Sequence, residues 1–353
     1  MKRFLGRLLM VVLGAAGLGL LAVRLWIGSV APGLSGRETI PGLGDSVVVL
    51  WDSLAVPHVV ARSDSDFFAA LGYLHARDRM WEMDLLRHAA EGRLSELFGT
   101  RTIAADRALR GREMSRIARL RAQHASAITL AAGAAYARGV NAWLATARRA
   151  VEFRILRHVP EPWRVEHSIE IGLLEAWDLR SDHGEMQHAR AIARLGEAKA
   201  SGLFVPYPDS APVILEGSGG ASTTAGLLWS GDARATASNS WAIGPAHTRS
   251  GRPILENDPH LELRAPSIWY LAGAHAPGYE VVGVTIPGLP PVVLGHTGRH
   301  GWGFTNGMID DVDYIQERIS TDTARYLTPT GWASVAVVME TLSVKGEDPV
   351  VYR

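Results

Sequence analysis

A serine-rich stretch and a group of histidines and acids are the parts of this sequence most suited to chemistry. The stretch is Ser238-Asn239-Ser240-Trp241, which follows a long connector rich in Gly, Pro, Ser and Thr. A serine hydroxyl is an effective nucleophile only when a neighbouring base takes its proton; otherwise such a serine is an ordinary solvated loop residue. The histidines and acids could instead serve a metal-dependent hydrolase, and they are His247, His260, His296, His300, Glu256, Asp258, Asp310, Asp311 and Asp313.

The composition excludes several other chemistries. The 353 residues hold 36 Lys and Arg against 36 Asp and Glu, so no basic excess favours a nucleic-acid partner. The chain has no cysteine, which excludes a thiol nucleophile, a disulfide framework and a thiolate metal site within it. It also lacks GxGxxG, GxxxxGK and HExxH motifs, and we expect no organic cofactor.

The N-terminus has the features of an export segment. Lys2, Arg3 and Arg7 precede an uncharged run over residues 8–23, which Arg24 closes. A basic start before such a run is typical of a secretory signal or a short signal anchor. The run is shorter than the ~20 residues of a comfortable membrane span, yet no clean cleavage site follows it, which slightly favours an uncleaved anchor. We expect a periplasmic protein, or a membrane-anchored one that faces the periplasm or the outside.

The rest of the sequence divides into a helical part, a connector and a β-rich part. Residues 47–61 predict a β-hairpin, and apolar residues then recur mainly at helical spacing as far as residue 195. Residues 201–237 show no sustained period and predict an irregular connector. Short strand-like runs separated by Gly and Pro turns follow. Helices first and strands afterwards indicate an α+β fold.

A series of short motifs resembles the penicillin acylase family over nearly the whole chain. Each motif is weak by itself, whereas the series in this order is specific. The motifs are GYLHARDRMW (72–81), GRLSELFG (92–99), GVNAWL (139–144), EPW (161–163), SNSW (238–241), ENDPH (256–260), PGLPP (287–291), GHTG (295–298), WGFTNG (302–307) and DDVD (310–313). The resemblance implies an αββα sandwich of the N-terminal-nucleophile hydrolase type, with a mainly helical α chain and an incomplete β chain.

The resemblance also implies a precursor that is cut to give an α/β heterodimer. Residues 1–27 would be a signal peptide or signal anchor, 28–200 the α chain, 201–237 an excised spacer and 238–353 the start of a truncated β chain. Self-cleavage after Ala237 would make Ser238 the first residue of the β chain. A free α-amine has an unperturbed pKa near 7.7–8.0, so it can take the proton of the hydroxyl on the same residue, directly or through one water.

The family pattern extends to residues around Ser238. His260 lies where the family carries Gln or His beside the free amine, and we expect it to hold the amine and the hydroxyl in register. The backbone N–H of Asn306 is one expected donor to the oxyanion of the transition state. The family's second donor is an Asn side chain much further along the β chain, so we expect these 353 residues to be incomplete as an enzyme by themselves.

A structural calcium ion is also implied by the resemblance, because Ca²⁺ prefers hard oxygen ligands. It would join the α and β parts rather than take part in catalysis. The expected ligands are the carboxylates of Glu185, Asp310 and Asp313 and the carbonyl of Val312.

An apolar acyl pocket is a further implication of the resemblance. Its expected lining residues are Leu179, Leu261 and Leu294. Leu261 and Leu294 stand where the penicillin G type carries aromatic side chains, so a flexible acyl chain is favoured over a flat ring. Apolar pockets discriminate between acyl chains by ~1–3 kcal/mol per methylene.

The sequence therefore predicts an amidohydrolase acting on an N-acyl small molecule through an acyl-enzyme on Ser238. The substrate would be a β-lactam side-chain amide or an acyl-homoserine lactone. One alternative is a truncated, non-catalytic, envelope-anchored protein that binds a ligand or a partner chain. Another is a metal-dependent hydrolase built on His260, His296 and Asp310, although nothing at helical i, i+4 spacing among them supports it.

Overall fold

The computed structural model contains both α-helices and β-strands, which confirms the predicted α+β class. It describes residues 2–28, 32–146, 149–180, 184–203, 237–261, 263–307 and 311–353. Residues 204–236, which hold most of the predicted spacer, lie outside the described residues, as does Asp310. The chain forms two compact units: the first unit is Met1–Leu174, Pro266–Gly301 and Leu342–Pro349, and the second unit is Glu175–Ala265, Trp302–Thr341 and Val350–Arg353.

Within the described residues, α-helices lie before residue 201 and most strands lie after residue 236. The helices are α1 (Lys2–Gly28), α2 (Asp64–Glu91), α3 (Ser95–Phe98), α4 (Ile103–Arg110), α5 (Met114–His124), α6 (Ala127–Ala145), α7 (Val151–Leu156), α8 (Val165–Asp178), α9 (Glu185–Leu195) and α10 (Glu197–Ala200). The strands are β1 (Val48–Trp51), β2 (Pro57–Val60), β3 (Ala237–Ile243), β4 (Ile254–His260), β5 (Tyr270–Ala276), β6 (Tyr279–Thr285), β7 (Leu294–His296), β8 (Gly301–Trp302), β9 (Arg325–Thr328), β10 (Gly331–Ser334), β11 (Glu340–Leu342) and β12 (Val350–Tyr352).

Helix α1 covers the basic and apolar residues that the sequence assigns to an export segment. Apolar side chains along it, such as Leu18 and Leu20, are exposed. Among the described residues, no helix combines the length and the apolar character needed to cross a membrane.

Helix α2 has well-defined ends. The Ser63 side chain accepts the N–H of Asp66 at 3.0 Å, and Asp64 and Asp66 place negative charge in the first turn. Gly92 ends the helix with a left-handed φ of 62° and donates its N–H to the carbonyls of Ala89 and His88. The sequence motif GRLSELFG therefore begins at the end of α2 rather than within it.

Two glycines let α2 and α6 pack backbone against backbone. A Cβ at Gly72 would lie 2.1 Å from the carbonyl oxygen of Tyr136, and a Cβ at Gly139 would lie 1.8 Å from that of Ala69. Any larger residue at either position would force the helices apart, because neither carbonyl is at the end of a movable side chain. These glycines belong to the motifs at 72–81 and 139–144.

The first unit contains a sheet of order β1-β2-β5-β6-β7-β8. β1 and β2 form the predicted hairpin, β2 pairs parallel with β5, and β5, β6 and β7 pair antiparallel in turn. Val59, Ala272, Ala274 and Val281 face the interior, and β2 and β5 contact α2. The opposite face, which we call the open face, carries His58 and other partly exposed side chains.

A buried hydrogen-bonded network joins α2, α6 and this sheet. His75 is fully buried, with Nδ1 2.8 Å from Tyr136 Oη and Nε2 2.9 Å from Thr285 Oγ1. Thr285 donates to the Tyr270 carbonyl at 2.8 Å, so its oxygen accepts the Nε2 proton of His75. Tyr136 then donates to His75 Nδ1 and accepts the N–H of Gly288 at 2.9 Å. Burial lowers the pKa of His75 to about 3, which keeps the neutral form that this pattern requires.

A second buried polar group centres on α8. Glu170 is 2% exposed and lies close to Glu91 and His167. Burial, followed by the negative charge of Glu91, raises the pKa of Glu170 to about 7 from an ordinary value of 4.5. The folded chain therefore holds a proton on Glu170 at pH values where the unfolded chain has released it.

Tyr136→Phe should lower the free energy of unfolding by roughly 2–4 kcal/mol, because it leaves the buried N–H of Gly288 and His75 Nδ1 without partners. Chemical denaturation followed by circular dichroism measures the loss. Tyr326→Phe in β9, where the side chain is partly exposed, is the matched control. Equal losses in the two variants would contradict the network.

Glu170 should make stability fall as pH rises. Below pH 4.5 both states are protonated; between pH 4.5 and about 7 the unfolded state loses its proton first, so the folded state is progressively disfavoured, by up to about 3 kcal/mol. Glu170→Gln should remove this slope in unfolding measured from pH 4.5 to 8. Glu152→Gln, at an exposed position of α7, should retain it. A wild-type slope preserved in Glu170→Gln would show that another group causes it.

Candidate active site

The strands β3 and β4 bring the predicted nucleophile and the predicted histidine to one end of a two-stranded ladder. β3 begins at Ala237, so Ser238 is its second residue. The strands are antiparallel, with Ala237 opposite His260 and Ser238 opposite Pro259. Ser238 is partly buried, whereas His260 is exposed.

The imidazole of His260 is held by its own strand. Its Nε2 lies 2.7 Å from Oδ2 of Asp258. Residues directly opposite each other in an antiparallel pair share a face, so His260 lies on the face of Ala237 and Ser238 on the face of Pro259. The expected role of His260 is therefore better served by its backbone, which lies near residue 238, than by a contact of its side chain with the Ser238 hydroxyl.

Asn257 is a functional candidate that the sequence analysis did not single out. Its Nδ2 donates to the carbonyls of Asn239 and Phe304, each at 3.0 Å, and its Oδ1 accepts the N–H of Phe304 at 2.9 Å. A Cβ at Gly303 would lie 2.8 Å from this side chain. One amide thus fixes the WGFTNG segment against β3. The sequence signal that could have revealed Asn257 is its position as a polar residue inside the strand-like ENDPH motif.

Asn306, the residue predicted to bind the oxyanion, lies in the same WGFTNG segment. Asn306 is partly buried, and its Nδ2 donates to the carbonyl of Leu179 at 2.7 Å, just after α8. The structure thereby brings together two predicted residues of the second unit, one catalytic and one pocket-lining. Leu179 is 42% exposed, and Leu261, next to His260, is partly buried. Leu294 lies in β7 of the first unit and is partly buried.

One predicted calcium ligand, Glu185, lies at the start of α9, close to the segment that carries two others. Glu185 Oε2 accepts the N–H of Tyr314 at 3.1 Å, which places a carboxylate against the segment that carries Val312 and Asp313. Val312 is partly buried and Asp313 is exposed. The donors are carboxylate and carbonyl oxygens, which fit Ca²⁺. Asp310 lies outside the described residues.

The metal-hydrolase alternative involves His260 of the second unit, His296 of the first unit and Asp310, which lies outside the described residues. His260 pairs with Asp258, and His296 belongs to β7 of the first unit. In the described part of the chain, groups of three or more His, Asp and Glu side chains that lie close enough to share one metal ion occur at two other places. These groups are Asp84, His88 and His158, and Glu91, His167 and Glu170.

Each group contains ligand atoms that already have another partner. The Asp84 carboxylate pairs with the buried guanidinium of Arg87 and lies 2.8 Å from His158 Nε2. In the other group, His167 Nδ1 accepts the N–H of Arg164 at 3.1 Å, so the proton of the neutral imidazole is on Nε2. That nitrogen has no lone pair for a metal, and we assign no metal to either group.

Comparison with known proteins gives one consistent family. Residues 46–353 match the family model described as penicillin amidase. The chain is 31% identical to the acyl-homoserine lactone acylase QuiP of Pseudomonas aeruginosa, over 94% of this chain and 42% of that protein. It is 29% identical to the penicillin acylase 2 proenzyme of Pseudomonas sp. strain SE83, over 85% of this chain and 42% of that protein. It thus spans about two fifths of the length of these curated relatives.

A solved structure, the thermostable penicillin G acylase from Alcaligenes faecalis, aligns with 48% of this chain and 96% of that chain. The TM-score is 0.42 and the sequence identity 22%.

Asn257→Ala should speed amide hydrogen exchange in residues 302–307 by about tenfold or more, because a net hydrogen bond of ~1.4 kcal/mol corresponds to a factor of ten. Hydrogen–deuterium exchange with mass spectrometry measures the change. Asn239→Ala, at an exposed side chain of β3, is the control and should leave that segment unchanged. Unchanged exchange in Asn257→Ala would contradict the positioning assigned to Asn257.

Proposed function

Because the chain belongs to the penicillin amidase family, we propose that Ser238 is the nucleophile of an amidohydrolase made as a single precursor. Two comparisons support the proposal, since the relatives are named as acylases and one of them as a proenzyme. The single observation that carries it is the position of Ser238. It is the second residue of the paired strand β3 and directly follows residue 237, where the Gly-, Pro- and Ser-rich segment assigned to the spacer ends.

The proposed mechanism starts with cleavage of the peptide bond between Ala237 and Ser238. Before cleavage the Ser238 nitrogen is an amide and cannot accept a proton; afterwards it is an amine with a free lone pair. The amine takes the hydroxyl proton, and the oxygen attacks the substrate carbonyl. The proton then passes to the departing amine, which leaves an acyl ester on Ser238. The same amine then takes a proton from water, whose oxygen attacks the ester; as the acid departs, the amine returns that proton to the Ser238 oxygen.

The oxyanion formed in each attack requires donors that are fixed in place, and the loss of one donor typically costs ~10²–10³ in rate. We assign one donor to the backbone N–H of Asn306. Asn257 would set its distance from Ser238, because it binds both β3 and the WGFTNG segment. The second donor is proposed to come from a later part of the complete protein.

The proposed substrate is a small N-acyl compound with an apolar acyl group. One relative is named an acyl-homoserine lactone acylase and another a penicillin acylase. Leu179 and Leu261 are proposed to line the acyl pocket. Aliphatic side chains at these positions would suit a flexible chain.

We assign a structural role to Ca²⁺, held by Glu185, Asp310, Val312 and Asp313. The support is the hydrogen bond from the N–H of Tyr314, the residue after Asp313, to the Glu185 carboxylate. When bound, the ion would supply charge neutralisation between the carboxylates. The residues themselves would join the part of the chain before the spacer to the part after it.

The complete protein is proposed to be an αββα sandwich and, after processing, an α/β heterodimer. Residues 1–27 are proposed to direct export to the periplasm. The basic residues before an uncharged run support this role.

The nucleophile is tested with Ser238→Ala in the complete reading frame. The wild type should give two chains, the second starting Ser-Asn-Ser-Trp, and should hydrolyse N-acyl substrates; the variant should stay uncut and lose at least ~10³ in activity. Ser240→Ala, two residues along the same strand, is the matched control and should be cut and active. N-terminal sequencing and an amidase assay are the readouts. Hydrolysis by wild-type protein whose Ala237–Ser238 bond is intact would refute the mechanism.

A further inference from the structure

Two histidines meet on the open face of the six-stranded sheet in the first unit. His58 lies on β2 and His275 on β5, and in the parallel ladder His58 is opposite Gly273 while Val60 is opposite His275. The two imidazoles are therefore on one face, on neighbouring strands. Nδ1 of His58 is 3.3 Å from Nε2 of His275, and the ring planes differ by 18°.

Gly273 makes this meeting possible. A Cβ at that position would lie 2.4 Å from His58 Nδ1. The imidazole of His58 thus occupies the space that any other residue at 273 would fill, and it reaches across β5 towards His275. The approach of the two rings is a property of the packed sheet rather than of two freely rotating surface side chains.

Glu280 fixes the tautomer of His275. The Glu280 Oε1 atom lies 2.7 Å from His275 Nδ1, across the antiparallel β5–β6 pair in which the two residues are directly opposite. An ionised carboxylate only accepts hydrogen bonds, so His275 Nδ1 carries the proton and Nε2 carries the lone pair. That lone pair faces His58.

We propose that His58 Nδ1 and His275 Nε2 bind a divalent transition-metal cation of the Zn²⁺, Cu²⁺ or Ni²⁺ class. Imidazole nitrogens suit these ions. Two nitrogens at the usual Zn–N distance of about 2.0–2.1 Å in a tetrahedral site are separated by about 3.3–3.4 Å. Glu280 supplies the carboxylate that orients a metal-binding histidine and raises its basicity.

The position of the pair gives the ion access and additional ligands. The His275 side chain is 32% exposed and that of Glu280 65% exposed, so solvent reaches the site and water can complete the coordination shell. In the absence of metal, a proton on His58 Nδ1 can bridge the two nitrogens. Metal binding would displace this proton, and the nitrogens would remain at nearly the same separation.

The metal site is tested by titrating tag-free protein with Zn²⁺ in a non-coordinating buffer at pH 7.5, by calorimetry. One equivalent should bind, and His58→Ala and His275→Ala should each weaken binding at least tenfold. Glu280→Gln, which keeps both nitrogens, should weaken it about 10–100-fold. His247→Ala, at an exposed histidine of the second unit, is the matched control and should bind like the wild type.

With Cu²⁺ as the probe, electron paramagnetic resonance should show coupling to two imidazole nitrogens in the wild type and to one in either single variant. Thermal melting without metal should be little changed in all variants, since the side chains are partly exposed. Absence of stoichiometric binding, or binding unaffected by His58→Ala and His275→Ala, would show a hydrogen-bonded pair only and overturn the proposal.

Discussion

The backbone contact between α2 and α6 is the constraint on which the first unit depends. Gly72 and Gly139 let the helices approach until carbonyl oxygens fill the space of the missing side chains. Only at that separation can His75 on α2 meet Tyr136 on α6, and only then can the Tyr136 hydroxyl hold the N–H of Gly288. The PGLPP segment between β6 and β7 is thus held by side chains of two helices through buried hydrogen bonds.

In the second unit, a single side chain fixes one segment of the chain against another. The Asn257 amide uses both its donor and its acceptor atoms on backbone groups, which fixes the segment of Asn306 relative to the strand of Ser238. Precise placement matters most where an oxyanion must be met as it forms. In both units a polar side chain fixes a short irregular segment: Tyr136 binds the backbone of Gly288, and Asn257 binds the backbone of Phe304.

The sequence predicted what local patterns and motif order can reveal. The α+β class and the hairpin at 47–61 are confirmed, and so is the family that the motif series predicts. The roles of Ser238, His260 and Asn306 remain predictions. Asn257 and the His58–His275 pair were missed because each depends on strand register between distant residues, and a single polar residue in a strand produces no periodic signal.

The parallel pairing of β2 with β5 links a strand near the start of the chain to one that follows the proposed spacer. If the bond after Ala237 is cut, the two products still pair in one sheet, and they cannot separate without breaking the hydrogen bonds between β2 and β5. Such long-range pairing also forms slowly, because it closes a loop of more than 200 residues. Maturation would then follow a fixed order. The precursor would fold before the bond after Ala237 is cut, and the two chains would afterwards stay together through the sheet.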